Sequence, residues 1–554
     1  MQILPGSIGR ASLATLAGCL LAATPTFLAG QQHPSGGAVF QTSDRCIACH
    51  QGVSTRAGKD VSIGFDWRAS MMANSARDPY WQAAVRREIT DHPAAREAIE
   101  NECSRCHMPM ANTMAHFGGG TGRVFANVPG ASDPGAPDPA TVQPTLAADG
   151  ASCSMCHQIR ADGLGTRESF VGGFVVAAPE EAPGAREIFG PFEVDTGRKA
   201  LMRSAVGFEP GRAEHIQSSE LCATCHTLYT HALDEQGRDV GELPEQVPYL
   251  EWRHSAHADE GRSCQSCHMP VVREQVPVTG VLGLPRADVS RHVFRGGNFF
   301  MLGMLNRHRD EMGIRALPQE MDAAVQRTLD HLAASAARVT VGEPALENGA
   351  LVAVVEVENL AGHKLPTAYP SRRAWLHVTV RDGTGRAVFE SGAVTPEGRI
   401  VGNDNDDDPA RYEPHHTEIT SSGDVQIYEA IMVDSRGDVT TGLIRAVEYR
   451  KDSRLTPRGF DKTAAHEDVA VHGAASDDAD FGDGRDRVRF AVPVDAGAGP
   501  FTVEAELLYQ PIGFRWARNL AAYSEPEPRR FVGWFDDMAH ASWALLARDR
   551  AVLR

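Results

Sequence analysis

Cys46, Cys49 and His50 form a Cys-x-x-Cys-His pattern that recurs along the chain. It returns at Cys103, Cys106 and His107, at Cys153, Cys156 and His157, at Cys222, Cys225 and His226, and at Cys264, Cys267 and His268. Two thiols at this spacing reach the two vinyl groups of one porphyrin and form thioethers. The histidine that follows offers its imidazole to the iron as the proximal ligand, so the pattern is the attachment signature of c-type haem. A single copy would also fit a zinc half-site or a redox dithiol. Five copies, each closed by His, leave those readings little room. Of 11 Cys, only Cys19 lies outside the motifs.

Each iron also needs a sixth ligand, and Met and His are the residue types that supply it. Trp67-Arg68-Ala69-Ser70-Met71-Met72-Ala73 matches Trp252-Arg253-His254-Ser255-Ala256-His257-Ala258. Met72 falls opposite His257, and each is read as a distal candidate on a short helix, with His254 as a rival to His257. Met is also a common core filler. His116, His215, His292 and His308 are further candidates. His215 precedes the fourth motif closely. His292 is followed by Gly296-Gly297, which permits close approach to a flat cofactor. Of 22 His, enough lie outside the motifs for every iron without proving that every position is filled.

On these five motifs, residues 40–310 resemble the bacterial multihaem c-type cytochromes, the broad group of cytochrome c-554 and related c-552/4 haem domains. The resemblance implies a periplasmic redox protein, five covalent haems packed closely enough to pass electrons, and His as the usual distal ligand. The loop Gly362-His363-Lys364-Leu365-Pro366-Thr367 is similar to a loop of large multihaem cytochromes. By that resemblance His363 reaches across to a haem, with His415 or His416 as lesser candidates against a plain polar loop.

The elements that position these residues follow from the rest of the chain. With 554 residues it is too long for one core. Residues 1–30 read as a signal peptide, with Arg10 before an uncharged apolar run and small residues at its end. Leu16-Ala17-Gly18-Cys19 also resembles a lipoprotein box, which would make Cys19 a lipid anchor and the protein an outer-membrane or cell-surface one. No other stretch is apolar and long enough to span a membrane. Residues 31–316 form a mostly α and irregular haem domain, with a helix expected after Asp78-Pro79. Residues 317–337 predict a linking helix through Met321, Val325, Leu329 and Leu332, with His331 off that stripe and solvated.

Residues 338–510 alternate as strands and predict an all-β, sandwich-like domain. The acidic run from Asn403 to Asp408 reads as a solvated turn, with a calcium site as the alternative. Residues 511–554 predict a C-terminal helical segment, with an amphipathic helix over 536–552.

Net charge is −18, which argues against nucleic acid and favours basic patches on a redox partner. The density of motifs points to an electron relay between redox partner proteins, with a quinol-linked donor possible. The alternative is an oxidoreductase acting on nitrite, hydroxylamine or sulfite at one open iron. The absence of a Lys-closed motif disfavours ammonia-forming nitrite reduction. A third reading makes the β-domain a docking or polymerising module.

Overall fold

The computed structural model describes residues 38–128, 145–182, 184–234 and 236–554. The expected signal segment, Cys19 with its lipid-anchor reading, and part of the loop after Phe117 lie outside the described residues.

The N-terminal half is built of short helices joined by irregular chain. The helix Pro79–Asp91 starts as its sequence predicts. Asp78 caps it, accepting from the Tyr80 and Trp81 amides, and Pro79 occupies the first turn. In the Trp-Arg repeat, Trp67 closes onto the Ala151 carbonyl and Trp252 onto that of Arg262. His257 stands on the helix Ala256–Asp259, whereas Met72 lies in a turn after the helix Ile63–Arg68 rather than on one.

The linking helix spans Pro318–Ser335 and buries Met321, Ala324, Thr328 and Leu332. Beyond it come two five-stranded sheets. In one the path runs Glu418–Ile419, Arg485–Pro493, Ala350–Asn359, Ala337–Val341. In the other it runs Ile427–Tyr428, Arg373–Arg381, Phe501–Gln510, Ala544–Leu553. Val355 and Val357 of the first sheet and Leu376, Val378, Val503 and Leu507 of the second share one core, as their alternation requires. That core continues into the N-terminal half through Tyr80, Ala223, Tyr249 and Phe299.

The C-terminal expectation is corrected. A helix does occupy Pro526–Met538, but Ala544–Leu553 is a strand paired antiparallel with Phe501–Gln510. Arg550 stands opposite Glu504 and Arg548 opposite Glu506. These cross-strand charge pairs and the sheet edge outweigh the helical propensity of Ala, Leu and Arg. The acidic run is also not simply solvated. Asp406 is buried and takes both guanidinium nitrogens of Arg373, at 2.8 and 2.9 Å. No described helix is long and apolar enough to cross a membrane.

Buried polar contacts tie the halves together. Arg86 pairs with Glu527 at 2.8 Å. Glu251, on the helix Pro248–Arg253, accepts from Arg454 at 2.9 Å and from the Lys364 amide at 3.1 Å. Lys364 and Arg454 both pair with Asp452, each at 2.7 Å. All four side chains are buried.

Candidate haem-binding cavity

The five motifs adopt helical or turn backbone. Cys103 to His107 end the helix Arg96–His107, and Cys222 to His226 end Ser219–His226. Cys153–Cys156 and Cys264–His268 are short helices of their own. In a helix, positions i, i+3 and i+4 share one face. Two cysteines and the histidine of each motif therefore present together.

They present to one space. A continuous cavity of about 1150 Å³ is lined by all ten motif cysteines and all five motif histidines. The described cysteines form no disulfide. Close thiols belong to different motifs: Cys46 interacts with Cys153, Cys106 with Cys225 and Cys222 with Cys264. Cys156 lies near Cys225. The fourth motif thus neighbours the second, third and fifth, and the first neighbours the third. Burial pushes the Cys156 thiol up to about 12 and raises that of Cys103 as well. The Cys264 thiol moves the other way, down to about 7, its hydrogen bond to Cys222 being the largest cause.

The imidazoles are arranged to ligate. Each of four motif histidines has Nδ1 on a backbone carbonyl: His50 on Val278 at 2.8 Å, His107 on Ser75 at 3.0 Å, His157 on Phe189 at 2.6 Å and His268 on Arg295 at 2.5 Å. With Nδ1–H donating there, the Nε2 lone pair is left available to a metal. Burial pushes His107 and His268 down to about 4. Both are neutral, the form that binds metal.

The distal candidates divide. His292 lines the cavity, its ring centroid 6.2 Å from that of His157 and the planes 19° apart. Its Nδ1 contacts the Ser290 carbonyl at 3.1 Å. His363 lines it with its centroid 6.2 Å from His268 and planes 12° apart. His257 and Met72 also line it, and the buried His257 Nδ1 has no hydrogen-bond partner.

The structure does not bring the others to it. His116 is exposed, with Nε2 on Asn101 at 2.8 Å, and the His215 Nε2 is taken by the Ile159 carbonyl at 2.8 Å. His254 points Nδ1 at the Leu250 carbonyl, and His308 stacks on Trp534 at 3.8 Å. His415 is held by Asp478 and Gln426 inside the sheet half, and His416 by Glu413. Gly297 answers a different need from the one expected. A Cβ there would meet the Tyr509 hydroxyl at 2.5 Å.

Several cavity residues escaped the sequence reading. Trp81 stacks on His107, centroids 4.3 Å apart. Tyr80, Tyr369, Glu88, Glu102, Glu245 and Arg372 line the space, and burial lifts the Glu245 carboxyl to about 8. His331 lines it rather than facing solvent. Its signal was a second helical stripe: Ala324, Arg327, Thr328, His331 and Ser335 all reach the cavity.

No family profile and no curated protein sequence matches the chain. Among solved structures it is similar to the penta-haem cytochrome c552 from Thermochromatium tepidum. The TM-score is 0.50 at 16% sequence identity, over 93% of this chain and 99% of that one. At that identity the likeness is one of fold. The chain has a multihaem-cytochrome-like fold, and its motif residues fit c-type haem in residue type and in lining one shared cavity.

Proposed function

We propose that the chain is an exported c-type cytochrome that carries five covalent haems and relays electrons between redox partner proteins. The specific kinship with cytochrome c-554 and c-552/4 haem domains belongs to this proposal, as do periplasmic residence and a lipid anchor at Cys19. The observation that carries it is the single cavity shared by every motif. Haems bound there would supply one-electron chemistry. The chain would attach them through its cysteines, ligate them through His50, His107, His157, His226 and His268, and set their potentials by sixth ligand and burial. Met72, His257, His292 and His363 are its candidate sixth ligands, a reading supported by their lining the cavity. The test is haem content by pyridine haemochrome with low-temperature EPR of the oxidised holoprotein. Five haems per chain, all low-spin, are expected. Fewer haems would overturn the pentahaem reading.

One observation favours a second reading. His107 has the Trp81 ring stacked on it, centroids 4.3 Å apart. Around the same motif stand Glu88, Glu102 and Glu245, whose carboxyls burial pushes up, with the phenols of Tyr80 and Tyr369. An open iron there would have proton donors for reduction of a small nitrogen or sulfur compound. A high-spin signal that shifts on adding nitrite, hydroxylamine or sulfite would replace the relay reading with this one.

A further inference from the structure

Two imidazoles, not one, stand beside the histidine of the fifth motif. The His363 ring centroid lies 6.2 Å from that of His268 with the planes 12° apart. The His331 centroid lies 6.3 Å from it with the planes 76° apart. Metal–imidazole bonds of about 2.0–2.1 Å put the centroids of two opposed ligands of one metal roughly 6 Å apart. Both rings therefore stand at the distance of an axial partner to His268.

Their supports differ. His363 rides on a loop of the sheet half and points Nδ1 at the Lys364 carbonyl at 2.8 Å. Glu251 holds that loop by accepting from the Lys364 amide and the Thr367 hydroxyl. His331 stands on the helix Pro318–Ser335, faces the cavity, and keeps a buried Nδ1 without a hydrogen-bond partner. A buried polar nitrogen left unpaired is costly. A ring free of such a tether can turn.

We propose that His331 is an alternative sixth ligand at the fifth-motif haem, exchanging with His363. The inference rests on the reading of Cys264, Cys267 and His268 as a haem site. One iron–nitrogen bond breaks and one forms. A neutral imidazole replaces a neutral imidazole, so no proton or electron is transferred. What changes is the angle between the axial ring planes, from near parallel to near perpendicular, and the element that carries the ligand. The sheet half would hold the haem in one state and the linking helix in the other.

The test uses the full-length holoprotein and three variants: His363→Ala, His331→Ala and the double variant. Haem per chain is fixed first by pyridine haemochrome. A wild-type protein without five haems refutes the attachment reading and is thereby separated from failure of the exchange. The expected result is that His363→Ala keeps every haem that is low-spin in the wild type, with the more anisotropic EPR signal of perpendicular ligand planes. Only the double variant should convert one haem to high-spin. If His363→Ala alone converts it as fully as the double variant, His331 is not a ligand and the proposal falls. Should His363→Ala fail to fold, His331→Gln decides in an otherwise native chain. It should abolish any perpendicular-plane signal and shift one haem midpoint, and superimposable spectra and midpoints would overturn the proposal.

Discussion

Glu251 and Arg454 meet at 2.9 Å with both side chains buried, one on a helix of the motif half and the other in the sheet half. Around them Lys364 and Asp452 complete a network from which water is excluded. Such pairs are costly to halve. Glu251→Ala takes from Arg454 one of its two carboxylate partners, Asp452 remaining, and leaves the Lys364 amide without its acceptor, and a loss of about 1–3 kcal/mol is expected. Denaturant unfolding of the holoprotein checks it. The midpoint should fall with little change in slope.

Glu245 gives a pH signature. Burial holds its carboxyl at about 8, against an ordinary value of 4.5. Between those values the unfolded chain has released the proton and the folded chain retains it. Folded molecules bind more protons there, so stability falls as pH rises from 4.5 to 8, by up to about 1.4 kcal/mol per pH unit. Glu245→Gln should flatten that limb, as read from unfolding free energies across the window. An unchanged slope would remove Glu245 as the cause.

The C-terminal strand can be tested by charge exchange. Arg550 faces Glu504 across the ladder. Arg550→Glu alone sets like charges opposite each other, and adding Glu504→Arg restores the pair. A coupling of about 0.2–1 kcal/mol is expected from the double-mutant cycle. A coupling of zero would be the result if residues 544–553 left the sheet.

Attachment itself is tested by removing thiols. Cys103→Ser with Cys106→Ser should reduce the haem content by one per chain, as measured by pyridine haemochrome and intact mass. A chain that keeps its full complement would show that this motif does not hold haem covalently.

Much of the site was legible because covalent chemistry fixes spacing. Two thiols, a histidine and one porphyrin permit few arrangements, so the ten cysteines and five histidines stand out from the chain alone. The candidate sixth ligands obey no such local rule. The candidate His363 arrives from the sheet half, and in the sequence only the resemblance of its loop points to it. His331 lies off the apolar stripe of Met321, Val325, Leu329 and Leu332, a position that predicts solvent. The helix has a second face toward a cavity, and sequence does not reveal a cavity whose walls come from distant segments. The strand Ala544–Leu553 departs from its local pattern for a related reason. Its Ala, Leu and Arg residues favour a helix locally, while its partner Glu504 and Glu506 lie on a distant strand.

The short segment Ser290–Arg295 serves two motifs at once. His292 faces His157 of the third, while the Arg295 carbonyl accepts from His268 of the fifth. Arg291 pins the same segment to Asp66 at 2.6 Å. With haems in both places, an electron arriving at one would pull on a strand of chain that adjusts the basicity of the other's ligand. Midpoint potentials of those two haems would then move together, and a redox titration would fit interacting centres better than independent ones.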